Sequence, residues 1–170
     1  AYTVRSHDLD AWARENPWSI AFIAQGNTGG QLLEPANARS VVAVGASTND
    51  GELWGGSSVG NTPEGTRGIF MVAPGRNIIS ANSDGINNSL NGDSTKKTGT
   101  SMATPNAAGA ATLVREYLEE IAQRPSPQGA VVKSMLILGA DDIGTRDIPN
   151  NNEGWGEVNL RNTLAPSGNR

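Results

Sequence analysis

Two short stretches of this 170-residue chain combine residue types that can attack and stabilise a carbonyl group. The first, Gly99-Thr100-Ser101, opens a long alanine-rich run. A serine in the first turn of a helix lies at the positive end of the helix dipole, among backbone N–H groups that have no intrahelical acceptor. Its hydroxyl can cap the helix. On an interior helix it can also act as a nucleophile, the free N–H groups holding the charge that develops on the attacked oxygen. The second stretch, Ala24-Gln25-Gly26-Asn27-Thr28-Gly29-Gly30, ends an apolar run in an asparagine and glycines. Asparagine is a turn residue. At the carboxyl end of a strand, where open α/β sheets bind ligands, its amide is also placed to donate a hydrogen bond to a reacting oxygen.

Other polar groups carry weaker chemistry. Gly56-Ser57-Ser58-Val59-Gly60 fits the G-x-S-x-G string of a nucleophile elbow, which requires a strand before the serine and a helix directly after it. Trp54-Gly55-Gly56 is a poor strand and Asn61-Thr62-Pro63 is a turn, so the elbow is rejected, and with it an esterase of that type. His7 is the only histidine; it has no partner at a metal-binding spacing and belongs on the polar face of a short helix. Asp84, Asn87 and Asp93 offer oxygens but match no calcium loop. Lys96-Lys97 reads as a solvated loop pair.

The elements that must position these residues are legible in outline. Ser6 caps a predicted helix that runs to Glu15, with Leu9, Trp12 and Ala13 on one face and Pro17 stopping it. Ser19–Ala24, Val41–Val44 and Ile69–Ala73 are short, nearly continuous apolar runs, the pattern of parallel strands covered on both faces. Residues 27–30, 47–68 and 80–100 are rich in Gly, Asn, Ser and Thr and read as long loops, a feature often tied to function. From Ser101, Ala103, Ala107, Ala111, Val114, Leu118 and Ile121 form one helical stripe. Alanines around its first half predict passage through the interior, with Pro105 tolerated near the start. A second helix spans about Gln128 to Gly139. The order gives an α/β fold, a partly parallel sheet flanked by helices, in one domain over residues 1–170.

Composition narrows the function classes. Thirteen basic against seventeen acidic residues, a net charge of −4, argue against binding to a phosphate backbone. The chain has no cysteine, hence no disulfide, thiolate metal site or cysteine nucleophile. No apolar run approaches the roughly 18 residues of a membrane span, and the first ten residues lack the pattern of a signal peptide.

Gly99-Thr100-Ser101-Met102-Ala103-Thr104-Pro105, with Ala108-Gly109, resembles the nucleophile signature of the subtilisin-like serine peptidases. Ala24-Gln25-Gly26-Asn27 is similar to their oxyanion segment, with glutamine replacing the second alanine. Residues 35–46, Met71–Gly75, Ser57–Gly60 and Gly154-Trp155-Gly156 with Val158-Asn159 resemble further family segments in the same order. The similarity is greatest to large bacterial subtilases that carry an extra β-domain after this region. It implies that Ser101 is the nucleophile and that Asn27 holds the oxyanion. Ala24, Gln25, Gly26, Leu33, Glu34, Thr98, Gly99 and Thr100 would line the substrate site, Gln25 and Leu33 narrowing or repolarising the pocket for the residue before the scissile bond. No cofactor is required by the resemblance, and a structural calcium ion is compatible with it at no located site. Its substrate is a polypeptide, and the family resemblance implies an extracellular setting.

The family's triad runs Asp, His, Ser along the chain, and nothing before Ala24 resembles the first two segments. His7 lacks the His-Gly-Thr context, and Asp8 and Asp10 do not match the aspartate motif. The expectation is therefore the carboxyl-terminal half of a peptidase domain, an incomplete copy of the fold, inactive alone and completed by an amino-terminal chain or segment that carries Asp and His. The rival expectation is a non-catalytic module of the same fold, acting by binding.

Overall fold

A computed structural model describes residues 2–60, 62, 65 and 68–164. Helix α1 (Val4–Glu15) is followed by strands β1 (Phe22–Ala24), β2 (Val42–Ser47) and β3 (Met71–Pro74), a hairpin of β4 (Ile78–Ala81) and β5 (Ser94–Lys97), and helices α2 (Thr100–Glu116), α3 (Gly129–Gly139) and α4 (Leu160–Leu164). A π-helical turn, Tyr117–Ile121, prolongs α2.

The three apolar runs form one parallel sheet in the order β1-β2-β3. Phe22 pairs with Val42, and Val44 with Met71. β2 is buried along its whole length, as a middle strand covered on both faces must be. Helix α2 packs across the sheet through Ala103, Ala107, Ala110, Ala111 and Val114, its small residues letting the helix come close to Val42, Val44, Ala46, Met71 and Ala73. Val132 and Leu136 of α3 complete the core. Each such large apolar side chain, fully buried, contributes about 1.5–3 kcal/mol.

Three features depart from the sequence reading. Helix α1 begins at Val4 with Thr3 at its cap position, so Ser6 is not a cap. Ser6 is buried inside the helix and its hydroxyl donates to Asn37 Oδ1 at 2.7 Å, tying α1 to the chain before β2. The stretch 80–100 is not simply a loop: Ile78 pairs with Lys97 and Ala81 with Ser94 in an antiparallel ladder whose side chains are almost all exposed. A hairpin with little buried surface carries no apolar alternation, which is why the sequence pattern did not reveal it. Third, α2 is buried on one side only. Pro105, Asn106 and Gly109 are exposed, and with Ala73, Pro74, Leu113, Val158 and Leu160 they line an open groove of about 360 Å³.

Candidate active site

The carboxyl ends of the parallel strands carry the chemistry-bearing residues. β1 ends at Ala24 and delivers Gln25, Gly26 and Asn27; β3 ends at Pro74, and Gly75 accepts at its carbonyl the Gly99 N–H, 2.9 Å away. That bond brings the start of α2 to the end of the sheet. A side chain at position 75 would collide with Ala46, the Gly99 carbonyl and Ala103, all 2.8–2.9 Å from an added Cβ, so only glycine admits this approach. Ser101 then stands exposed in the first turn of α2, and no partner for its N–H is found among the described residues.

Asn27 is held from one side. Its Oδ1 accepts from the Thr100 N–H at 2.8 Å and from the Thr100 hydroxyl at 3.0 Å. Thr100 Oγ1 in turn lies 3.3 Å from the Gly26 N–H, which donates to it. With its oxygen committed to Thr100, the amide of Asn27 must present Nδ2 outward, and Nδ2 has no partner among the described residues. The asparagine turn and the serine helix, 73 positions apart, are thereby locked into one unit. A hydrogen-bond donor without a protein partner is able to receive a negatively charged oxygen.

The other proposed lining residues occupy distinct places. Gln25 is fully buried; its Nε2 donates to the Ser58 carbonyl and to Ser57 Oγ at 3.3 Å, and it lies over Gly45 in β2. Its side chain therefore points into the protein, and only its backbone faces the turn. Ser57 and Ser58 are themselves buried, Ser57 accepting from the Ala46 N–H and Ser58 hydrogen-bonded to Thr28, so the Gly56–Gly60 segment buttresses the asparagine turn. Sequence reasoning had no signal for this support beyond the apolar context of β1. Leu33 and Glu34 are exposed, Leu33 packing against Gly26. Thr98 accepts the Asn77 N–H at 2.9 Å and pins the base of the hairpin.

His7 is remote from this cluster. It is largely exposed, 3.5 Å from Asp8, and borders a cavity of about 610 Å³ with Ser19 and Ser40, the residues that lead into β1 and β2. The cavity thus lies at the amino ends of the strands, whereas Asn27 and Ser101 lie at the carboxyl ends. In its wall, Asp10 accepts from the Arg39 and Ser40 N–H groups at 3.1 and 2.7 Å. Burial raises the Asp10 pKa, but Tyr2 and these backbone donors more than offset it, and the net shift is downward. Lys133, its pKa lowered by burial, donates to the Ser40 carbonyl. These groups fasten α1 and α3 to the sheet. Among the described residues no group of three or more His, Cys, Asp or Glu side chains can hold a metal ion.

The fold thus sets Ser101 at the start of α2 and ties the preceding residue, Thr100, to Asn27 at the end of β1. Residues 4–156 match the subtilase family model, and the chain belongs to that family. It is 32% identical over 130 residues to subtilisin Savinase of Lederbergia lenta, covering 76% of this chain and 41% of that protein. With the major intracellular serine protease of Bacillus subtilis it shares 36% identity over 106 residues, 62% of this chain and 29% of the relative. A lanthipeptide protease structure superposes with a TM-score of 0.76 at 22% identity, covering 94% of this chain and 54% of that one, which is a likeness of fold. The chain thus spans well under half the length of these curated relatives and about half of the solved structure. One relative is described as intracellular, so family membership alone does not fix the compartment. No described helix is long and apolar enough to cross a membrane.

Proposed function

We propose that this chain supplies the nucleophile and the oxyanion-binding half of a subtilisin-like serine endopeptidase. The observation that carries this reading is the clamp of Thr100, the residue before Ser101, on Asn27 Oδ1, which leaves the amide Nδ2 as the end able to donate to a substrate. In the mechanism, Ser101 Oγ attacks the carbonyl carbon of a peptide bond, and the carbonyl oxygen becomes an oxyanion held by Asn27 Nδ2 and the Ser101 N–H. Collapse of the tetrahedral intermediate expels the amine and leaves an acyl-enzyme, which water then hydrolyses. The proton from Ser101 must pass to a base, and His7, at the opposite end of the sheet, is not placed to take it.

The base and its orienting aspartate come, in this proposal, from a complementary amino-terminal segment. Two features support such a partner. Among the described residues no strand pairs with the outer edge of β1, and α2 leaves its Pro105-Asn106-Gly109 face uncovered. An added parallel strand would satisfy the first, and apolar packing the second. Ala24, Gly26, Leu33, Glu34, Thr98, Gly99 and Thr100 line the substrate site around this centre, Gln25 contributing through its backbone. No cofactor takes part; a structural calcium ion would have no role in the reaction. An extracellular place of action rests on the family resemblance alone, and cell fractionation tests it.

A fluorophosphonate probe tests the assignment. Mixed with the segment that carries Asp and His, the chain is expected to label stoichiometrically at Ser101, with Ser101→Ala unlabelled. Alone it is expected to label negligibly, because an unassisted serine hydroxyl is a poor nucleophile at pH 7. Rapid labelling of the isolated chain would refute the need for a partner. No labelling of the assembled pair would favour a binding module that kept the fold and lost the reaction.

A further inference from the structure

We infer that Gln25 is a positioning residue for the oxyanion turn: its buried amide sets the place of Asn27 by tying down the segment from which that turn hangs. The inference rests on the peptidase reading above. The backbone of Asn27 has no hydrogen-bond partner among the described residues. Its neighbours carry the turn instead. The Gly26 carbonyl accepts from the Ser58 N–H at 2.9 Å, and the Gly30 carbonyl from the Val59 N–H at 2.6 Å. The Thr28 N–H donates to Ser58 Oγ at 3.3 Å, and the Gly29 N–H to the Gly56 carbonyl at 3.1 Å. On both sides of Asn27, then, the turn is fastened to residues 56–59. Thr100 decides which way the Asn27 amide faces; segment 56–59 decides where its backbone sits.

That segment has little stiffness of its own. It belongs to no helix or strand, and Gly55, Gly56 and Gly60 leave its backbone wide freedom. Gln25 restrains it. Nε2 donates to the Ser58 carbonyl and, at 3.3 Å, to Ser57 Oγ, which also accepts from the Ala46 N–H at 3.0 Å. The amide thereby stitches residues 57–58 to the end of β1 and, through Ser57, to β2. Gly45 of β2 makes room for it: a Cβ added there would lie 2.8 Å from Gln25 Nε2.

What the amide adds over an apolar side chain is this donor. Gln25 is fully buried, and its Oε1 has no partner among the described residues. A buried acceptor left unpaired costs stability. Methionine, of similar length and without that acceptor, would fill the same space at less cost to the fold. Core stability therefore does not account for a glutamine here, whereas the two bonds from Nε2 do. The alanine of the family's oxyanion segment offers no such donor, so the tie belongs to this chain's own sequence.

The test uses the active pair, this chain with the segment supplying Asp and His. Gln25→Met is expected to lower kcat at least about 10-fold with KM nearly unchanged, since misplacing a group by about 1 Å can cost 10²-fold. Its melting is expected at or near that of wild type. In an Asn27→Ala background the same substitution is expected to change kcat by less than about 2-fold, because no donor is left to position. Gln25→Glu can donate to the Ser58 carbonyl only while protonated. Burial raises its pKa, so the ratio of its kcat to that of wild type is expected to fall as pH rises through the raised value. On this chain alone, hydrogen exchange at the Gly29, Ser58 and Val59 amides is expected to quicken about 3–10-fold in Gln25→Met.

An unchanged kcat in Gln25→Met, a loss confined to KM, or an equal loss in the Asn27→Ala background would overturn the inference and leave the peptidase reading intact. So would a Gln25→Met variant that melts far below wild type and loses activity in proportion, which marks a structural residue. Absence of both fluorophosphonate labelling and cleavage in the wild-type pair would overturn the peptidase reading itself.

Discussion

At the scale of single residues, the proposed site depends on Thr100 as much as on Ser101 and Asn27, because Thr100 holds Asn27 by two hydrogen bonds. Asn27 alone could rotate its amide and present either end to a substrate. The two donors of Thr100 remove that freedom, because a backbone N–H and a hydroxyl can both be satisfied only by the oxygen. Thr100→Val keeps the shape and the backbone donor but loses the hydroxyl. The expected result is a roughly 3–10-fold fall in kcat of the assembled enzyme with KM nearly unchanged, the equivalent of about one net hydrogen bond. Asn27→Ala removes the donor itself and is expected to cost about 10²–10³-fold in kcat, a range taken from a subtilisin and not obtained from this geometry. Steady-state kinetics on one peptide series distinguish the two.

Titration at the residue scale centres on Glu157. Burial raises its pKa above the ordinary 4.5; the Ser47 hydroxyl, which donates to it, pulls the other way, and Asp141 and Glu153 add to the rise. The folded protein therefore holds this proton more tightly than the unfolded chain. Its stabilising contribution is full below the ordinary pKa and is lost as pH rises through the raised folded value. Glu157→Gln, which keeps an acceptor for Ser47, is expected to flatten the decline in stability on the neutral side of pH 4.5. Urea unfolding at several pH values, wild type against variant, measures it.

At the scale of elements, the segment between α3 and α4 is organised by a fully buried carboxylate. Glu153 Oε2 accepts from the Ile143 and Gly144 N–H groups, both at 3.0 Å, and Oε1 accepts from Asn150 Nδ2 at 2.7 Å. The same segment closes on β3, with Trp155 N–H donating to the Phe70 carbonyl and Val158 N–H to the Val72 carbonyl. Glu153→Ala strands two backbone donors and is expected to destabilise by about 2–4 kcal/mol. A thermal shift of many degrees is the readout. The fall in midpoint should far exceed that of an exposed control such as Glu116→Ala.

Elements also show where the sequence was readable. The apolar runs located β1, β2 and β3 because burial on both faces leaves an unbroken hydrophobic signature. Helix α2 was visible from Ala103, Ala107 and Ala111, and α3, expected over about Gln128 to Gly139, runs from Gly129 to Gly139. The β4–β5 hairpin and α4 were not, being too short or too exposed to impose a pattern. Ser6 was misassigned as a cap because a capping serine and a buried, hydrogen-bonded serine are the same letter; only Asn37, brought in from 31 positions away, separates them.

At the scale of the whole molecule, the chain has two unlike ends of one sheet. The amino ends of the strands are fastened by Asp10, Lys133 and the residues 39–40 between them. The carboxyl ends carry the Thr100–Asn27 clamp and Ser101, and among the described residues no strand pairs with the outer edge of β1. Addition of the complementary segment is expected to raise the thermal midpoint and to protect the Phe22 and Ala24 amides, which face away from β2, from hydrogen exchange, since a partner that binds only the folded state stabilises it.

By itself the sequence determined the chemistry that is available: one serine in a helix-opening signature, one asparagine after a buried strand, no cysteine, and a histidine in the wrong context. It also determined the class of fold, because hydrophobic period is a local property of the chain. Only the tertiary structure decided which way the Asn27 amide faces, that Gln25 turns inward to Ser57 and Ser58, and that Leu33 lies on Gly26. Each of these is a contact between segments distant in sequence or folded back through a turn. Their direction depends on backbone paths and packing that no local pattern encodes.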